Sequence, residues 1–368
     1  MNKLLRVVLL FLGILSLAAP AAAAPKVILG ARVIQEIGGQ WRDKNLTSNQ
    51  KDATADSFVS LDTNSYLWAK LTSEDRKLGV LVELGIPADI YLRHAYGWYR
   101  TGDWAFQAGQ TNTLLDLGAP LDQQLAQTAL RGFGHVMVQR IPNLALSWKS
   151  GAWGLQVALL RPRQRRLPTG LSSQGVDLYS QVPGLGAVVT YTAGGFTLGP
   201  SVSFYKSDFK GAPVAGDDYW LTWFVKLPLK LSLGAFSFTL EIHYGANFAS
   251  EYMDYPDQAY PVYTAAGKVE DTRVLGGNLS ARYNFSQDLA LAAGFGLERL
   301  DNDAWRSELG YRDDELTRWA AYLDLTWRLH RNLTLHPELL YFDYGDDPAD
   351  GRGSRGELLA GLQIVFLF

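Results

Sequence analysis

Arg355-Gly356-Glu357-Leu358-Leu359-Ala360-Gly361-Leu362-Gln363-Ile364-Val365-Phe366-Leu367-Phe368 ends the chain. As an extended strand it puts Leu358, Ala360, Leu362, Ile364, Phe366 and Phe368 on one face, because side chains in a strand alternate with a period of two. Glu357, Gly361 and Gln363 fall on the other. The same period recurs upstream. In 236–248, Phe236, Phe238, Leu240, Ile242, Tyr244, Ala246 and Phe248 alternate with Ser237, Thr239, Glu241, His243, Gly245 and Asn247. In 317–329, Trp319, Ala321, Leu323, Leu325, Trp327 and Leu329 alternate with Arg318, Ala320, Tyr322, Asp324, Thr326 and Arg328. The stretch 275–285 sets Leu275, Leu279, Ala281, Tyr283 and Phe285 against Asn278, Ser280, Arg282 and Asn284. No helix has this period.

Runs of about ten such residues follow one another from Val27 to Phe368, separated by clusters of Gly, Asp, Asn and Pro. No linker, low-complexity block or shift in composition divides them. A soluble β-sandwich also alternates. Against it stand the length of the strands, the charges beside small residues on the polar face, and long loops alternating with tight turns such as Ser73-Glu74-Asp75-Arg76 and His330-Arg331-Asn332. Beyond the N-terminal segment no apolar stretch is long enough for a membrane helix, so a membrane-spanning form must be a closed barrel, which pairs every backbone group internally. Trp319 and Trp327, eight residues apart on the apolar face, would sit roughly 20 Å apart along the membrane normal at about 3.3 Å per residue and about 40° tilt. The expectation is therefore an all-β fold: a closed transmembrane antiparallel barrel of about sixteen strands. They begin near residues 27, 58, 77, 90, 103, 134, 152, 184, 195, 217, 234, 270, 287, 314, 332 and 355. A barrel of that size encloses water.

The N-terminus has the layout of a secretory signal peptide: Lys3 and Arg6, an apolar run from Val7 to Leu17, then Ala21-Ala22-Ala23-Ala24. Cleavage after Ala23 would leave 24–368 as one barrel domain and move the formal charge from −3 to −5. The absence of cysteine fits an exported protein held together without disulfides.

The final aromatic-ended strand resembles the closing strand of bacterial outer-membrane barrels. Leu92-Arg93-His94-Ala95-Tyr96-Gly97, Ala108-Gly109-Gln110-Thr111 and Arg140-Ile141-Pro142 resemble, in order and spacing, motifs of the trimeric outer-membrane porins and of their DcaP-like branch. The resemblance implies a homotrimer in the bacterial outer membrane, a loop after strand five folded into the barrel, and small anionic solutes such as carboxylates as cargo. It also implies that the barrel-insertion machinery reads Phe368 as an assembly signal. The family's N-terminal helical segment has no counterpart before Val27, and Ala145 stands where a basic residue is expected.

The segment Thr111–Gly132 lacks clean alternation and is the candidate constriction loop. Arg93, Gln110, Arg131 and Arg140 flank it, and Asp116 and Asp122 lie on it. Arginines facing carboxylates across a narrow aqueous gap would set up a transverse field that orients solutes, unless they only pin the loop. Asp62, Tyr66, Lys70, Glu241, His243, Arg282, Arg318 and Asp324 are expected to line the pore. Arg163, Arg165 and Arg166 could draw anions to the pore mouth, but the favoured expectation is that they meet solvent or lipopolysaccharide phosphates in the outer-membrane lipid. The acidic strings 301–303 and 343–347 lack the ligand spacing of a calcium loop, so no metal is expected. Neither is any cofactor. Two rivals are an outer-membrane barrel enzyme of phospholipase or protease type and a channel for hydrophobic substrates. No G-x-S-x-G or H-E-x-x-H occurs, and strand one leaves no room for an N-terminal plug. The acidic balance and lack of a basic domain argue against nucleic acid.

Overall fold

A computed structural model describes residues 25–43, 54–62, 64–87, 89–113, 115, 117, 119, 121, 125, 130, 132–136, 140–161, 167–171, 176–212, 216–248, 259–346 and 355–368. The proposed signal peptide, Asp116, Asp122, Arg131, Arg163, Arg165, Arg166 and Asp347 lie outside the described residues.

Sixteen antiparallel strands close into a barrel. The first five are Lys26–Arg42, Thr54–Leu61 continued by Tyr66–Thr72, Leu78–Gly85, Tyr91–Thr101 and Trp104–Thr111. The sixth to ninth are Ile141–Ser150, Trp153–Leu160, Asp177–Tyr179 continued by Gly184–Ala193, and Phe196–Leu198 continued by Ser201–Lys210. Then come Tyr219–Leu233, Phe236–Ala246, Arg273–Asn284, Leu289–Asp301, Glu315–His330, Leu333–Asp343 and Gly356–Leu367. Each pairs with its neighbour in sequence. The sixteenth closes on the first in the register Arg32↔Leu367 to Arg42↔Glu357, and Phe368 exchanges two backbone hydrogen bonds with Ala31. Tight turns and both ends of the described chain share one rim; the long loops share the other.

Alternation sorts the two faces of the wall as expected. Leu323 is 46% exposed on the outside, while Asp324, one residue on, is 0% exposed inside. Two departures from regularity matter for the interior. The second strand breaks at 62–65, where Asp62 Oδ1 accepts the Asn64 N–H at 2.6 Å and Ser65 Oγ accepts the Ile34 N–H at 2.9 Å. In the fourth, the pairing shifts between Glu83 and Leu84, so Arg93 forms a bulge beside His94. A bulge re-aims side chains, and here both Arg93 and His94 reach Glu83 on the inner face. The sixth strand starts at Ile141 and not near 134, because Gly134 takes φ +101° and the Val136 N–H bonds the Glu241 carboxylate on the wall.

Long loops on one half of the opposite rim pack together. Leu171, Phe209, Trp220 and Tyr263 form one apolar cluster there. The short helix Ala304–Leu309 places Trp305 in another.

Candidate pore and the loop that crosses it

The described residues between Thr111 and Arg140 run along the inner wall from the seventh strand round to the first and back. Leu115 reaches Gly186 of the eighth strand, and Leu117 reaches Gly199 beside the ninth. Leu121 donates its N–H to Ser280 Oγ at 2.9 Å, and its carbonyl accepts from the Tyr322 hydroxyl. Leu125 N–H bonds Glu338 Oε2 at 2.6 Å, and its side chain meets Gly361. On the return, Phe133 lies against Gly296 and Gly134 against the backbone of Gly277. A Cβ at Gly134 would stand 2.0 Å from the Gly277 carbonyl, and one at Gly296 would stand 1.9 Å from the Phe133 carbonyl. Only glycine permits so close a backbone approach.

Two apolar clusters anchor this path at either side. Leu115 and Val136 pack with Ile141, Ala158, Leu160, Tyr205 and Phe224. Leu125, Leu130 and Phe133 pack with Ala292, Ala320, Leu340, Phe342 and Leu359. Between them the contact is polar and sealed. Glu241, fully buried, takes the Val136 N–H at 2.8 Å and His135 Nδ1 at 2.9 Å, with Lys226 Nζ at 3.5 Å and His243 Nδ1 at 3.3 Å. Lys226 Nζ also donates to the Val136 carbonyl at 3.0 Å, and Asn278 donates to the Gly134 carbonyl at 3.0 Å. Arg318 Nη2 stands 3.3 Å from Glu298 Oε2, with its guanidinium 5.5 Å over the Phe133 ring. Buried charges persist only when paired in this way.

The arc from the second to the seventh strand is different. Its inner face carries Tyr66, Trp68, Lys70, Tyr96, Trp98, Arg100, Gln107, Ser147 and Gln156, and between these strands lies a hollow of about 250 Å³. Trp68 lies over Gly30 and Trp98 over Gly79, each indole filling the space a Cβ would take. Lys70 Nζ is 5.4 Å and Arg100 Cζ 5.9 Å from the Trp98 ring.

The expected site residues divide accordingly. Lys70 and Tyr66 lie on the open arc. Arg93 is buried, its Nε 2.5 Å from Glu83 Oε1 and its guanidinium 5.0 Å over Tyr66, so a wall carboxylate holds it. Arg140 is half-buried where the loop rejoins the wall. Arg282 donates to Asn284 Oδ1 at 2.8 Å on the half-buried inner face. Glu241, His243, Arg318 and Asp324 face inward but do not line open water; the first three sit beneath the loop, and Asp324 is closed in with His336 at 3.3 Å and Thr326 at 3.0 Å. Asp62 is likewise buried, capping the break in its strand. Gln110 corrects the reading more sharply. It shares the outward parity of Phe106 and Ala108, and its amide donates to the Leu92 carbonyl at 2.9 Å, while Thr111 takes the inner position 2.9 Å from His94 Nδ1. Phe368 is exposed on the outer face. Sequence reasoning missed the loop's seat of Lys226, His135, Asn278, Ser280 and Glu338; the glycines at 276–277 and 296 inside strands were the available signal.

A closed transmembrane barrel of sixteen strands, with a loop crossing its interior and an apolar outer face, is the architecture of the outer-membrane porins. No family model and no curated protein matches the sequence. Among solved structures, the outer membrane channel DcaP of Acinetobacter baumannii aligns with a TM-score of 0.72 at 17% identity, covering 95% of this chain and 99% of that one. Salmonella typhi OmpF aligns with a TM-score of 0.60 at 13% identity over 94% of this chain and 98% of that one. The anion-selective porin of Comamonas acidovorans gives 0.59 at 12% identity over 93% and 100%. The chain has the porin fold, that of an outer-membrane multi-pass β-barrel.

Proposed function

We propose that this chain is a passive, water-filled diffusion channel for small hydrophilic solutes, with a preference for small anions such as carboxylates. One observation carries the reading: the loop's seat uses up inward carboxylates, whereas the open arc is lined by cations and aromatics. Glu241, Glu298 and Glu338 are engaged beneath the loop, and Glu83 is taken by Arg93. Lys70 and Arg100 face the opening with aromatic neighbours. A permeating anion therefore meets a positive local potential along this arc, and distant exposed charges are screened beyond about 8 to 10 Å at ordinary ionic strength. The net charge of −3 is a poor guide to such a pore.

We assign Arg93 and Arg140 to the narrowest section, with Glu83 offsetting part of the charge of Arg93. The reading is a channel and not an enzyme; its solved neighbours include several porins. We take the assembly to be a homotrimer, supported by the OmpT outer membrane protein of Vibrio cholerae, a fold neighbour solved in a trimer form. Export by the 1–23 signal peptide, insertion through recognition of Phe368, and contact with lipopolysaccharide belong to the same reading. The test is the reversal potential of the purified protein in a potassium chloride gradient. Anion preference is expected, shifted toward cations by Arg93→Gln with Arg140→Gln; cation preference in the unaltered channel would overturn the reading.

A further inference from the structure

Inward cations differ with depth in whether they are paired. Near the tight-turn rim Lys70, Arg100, Lys149, Lys230 and Arg328 all lie within three residues of the end of their strands. Register places each on the inner face: Arg100 follows the inward pair Trp98↔Gln107, Lys149 pairs with Gly154 beside Ser147↔Gln156, and Lys230 pairs with buried Thr239. Arg328 pairs with Thr334, next to outward Trp327. Among the described residues none of the five forms an ion pair. No carboxylate faces inward on these strand ends. The acids at this rim, Glu74, Asp75, Asp103 and Asp288, are on the turns, where Asp75 already bonds Ser73 and Lys77. Toward the opposite rim the inner face carries Asp56, and its cations are paired there, Arg42 with Glu357 at 2.9 Å and Arg318 with Glu298 at 3.3 Å.

Cations gathered without carboxylates repel one another unless something negative joins them. Two adjoining hollows of about 250 and 350 Å³ share Lys70, Trp98 and Arg100, and Lys26 and Arg76 border the second. That is room for a small polycarboxylate. Trp98 and Tyr96, 5.7 Å apart, give the first hollow a rigid aromatic side.

Resting on the channel reading above, we propose that this turn-side vestibule is a second anion-binding site. It is separate from the crossing loop, takes small multivalent carboxylates, and makes their effect on the channel depend on the side of entry. An anion arriving from the turn side meets the cations first and is held below the loop. One arriving from the loop side must first pass Asp56, the Arg42–Glu357 pair and the loop.

The experiment is single-channel recording in a planar bilayer at low salt, with citrate added to one side at a time and acetate as the monovalent control. Citrate should halve the current at a concentration about tenfold lower from the turn side than from the loop side, and acetate should show no such preference. Lys70→Gln, Arg100→Gln and Lys149→Gln together should abolish the preference. The charge-keeping exchange Lys70→Arg with Arg100→Lys should retain it, which separates loss of charge from loss of fold. Salt near 1 M, where screening acts within about 3 Å, should erase it. Equal block from both sides, no block, or a preference surviving the triple substitution would overturn the proposal. The reversal potential tests the channel reading separately: an anion-preferring pore without sidedness sinks only the vestibule.

Discussion

The inner wall has two arcs built from the same alternating strands, and they have opposite fates. Under the crossing loop, inward polar side chains are dry and engaged: Glu241 with four partners, Arg318 with Glu298, Glu338 with the Leu125 N–H. On the second to seventh strands, Tyr66, Trp68, Lys70, Tyr96, Gln107 and Ser147 remain half-exposed, and Lys70 and the exposed Arg100 lean on the Trp98 ring. A charge that faces inward is thus a structural clamp in one arc and a channel lining in the other. Parity decides inside against outside, and only the path of the loop decides wet against dry.

The sharpest way to break this contrast is to unseat the loop. Glu241→Ala leaves Lys226 and His135 buried without their carboxylate, a loss of about 3 to 5 kcal/mol for a broken buried pair. Gly296→Val should act alike by pushing on the Phe133 carbonyl. Both variants are expected to assemble as barrels with larger, noisier single-channel conductance, since each change is on the inner face and leaves the lipid-facing side chains of its strand in place. Unchanged conductance in both would mean that the apolar clusters alone hold the loop. A smaller effect belongs to the outer face behind the seat, where Leu323→Arg should cost about 2 to 4 kcal/mol in lipid near the midplane. Refolding into vesicles measures it, and a neutral result would contradict the lipid-facing assignment. The smallest effect lies at the rim of the open arc. The Ser73 hydroxyl and the Lys77 N–H hold the Asp75 carboxyl below the usual aspartate range. Its folded pKa is depressed, so its contribution is present above about pH 4 and fades as pH falls through the lower folded value. Asp75→Asn should flatten that acid-side decline in unfolding measurements without altering conductance.

Much of this was legible beforehand because a barrel wall is a local code. The rows of 236–248 and 317–329 assign lipid and lumen residue by residue, and the start of nearly every strand follows from its flanking turn. The exceptions have identifiable causes. Gln110 looked inward because its motif adjoins the loop, yet strand parity turns its amide outward to the carbonyls at 92–93. The run from 134 looked like a strand until Gly134 turned it onto the wall. Glu241 and His243 looked like pore lining because nothing in their own strand reveals what covers them.

The sequence by itself determined an apolar outer surface, a polar interior, the number of strands and the rim on which the long loops lie, since each depends on neighbours one or two residues away. The tertiary structure alone decided which inward carboxylates are consumed, because their partners are distant in the chain. Val136 and Glu241 are separated by 105 residues and Leu125 and Glu338 by 213. No local pattern encodes a pairing across the width of a barrel, and that pairing leaves the cations of the open arc facing water.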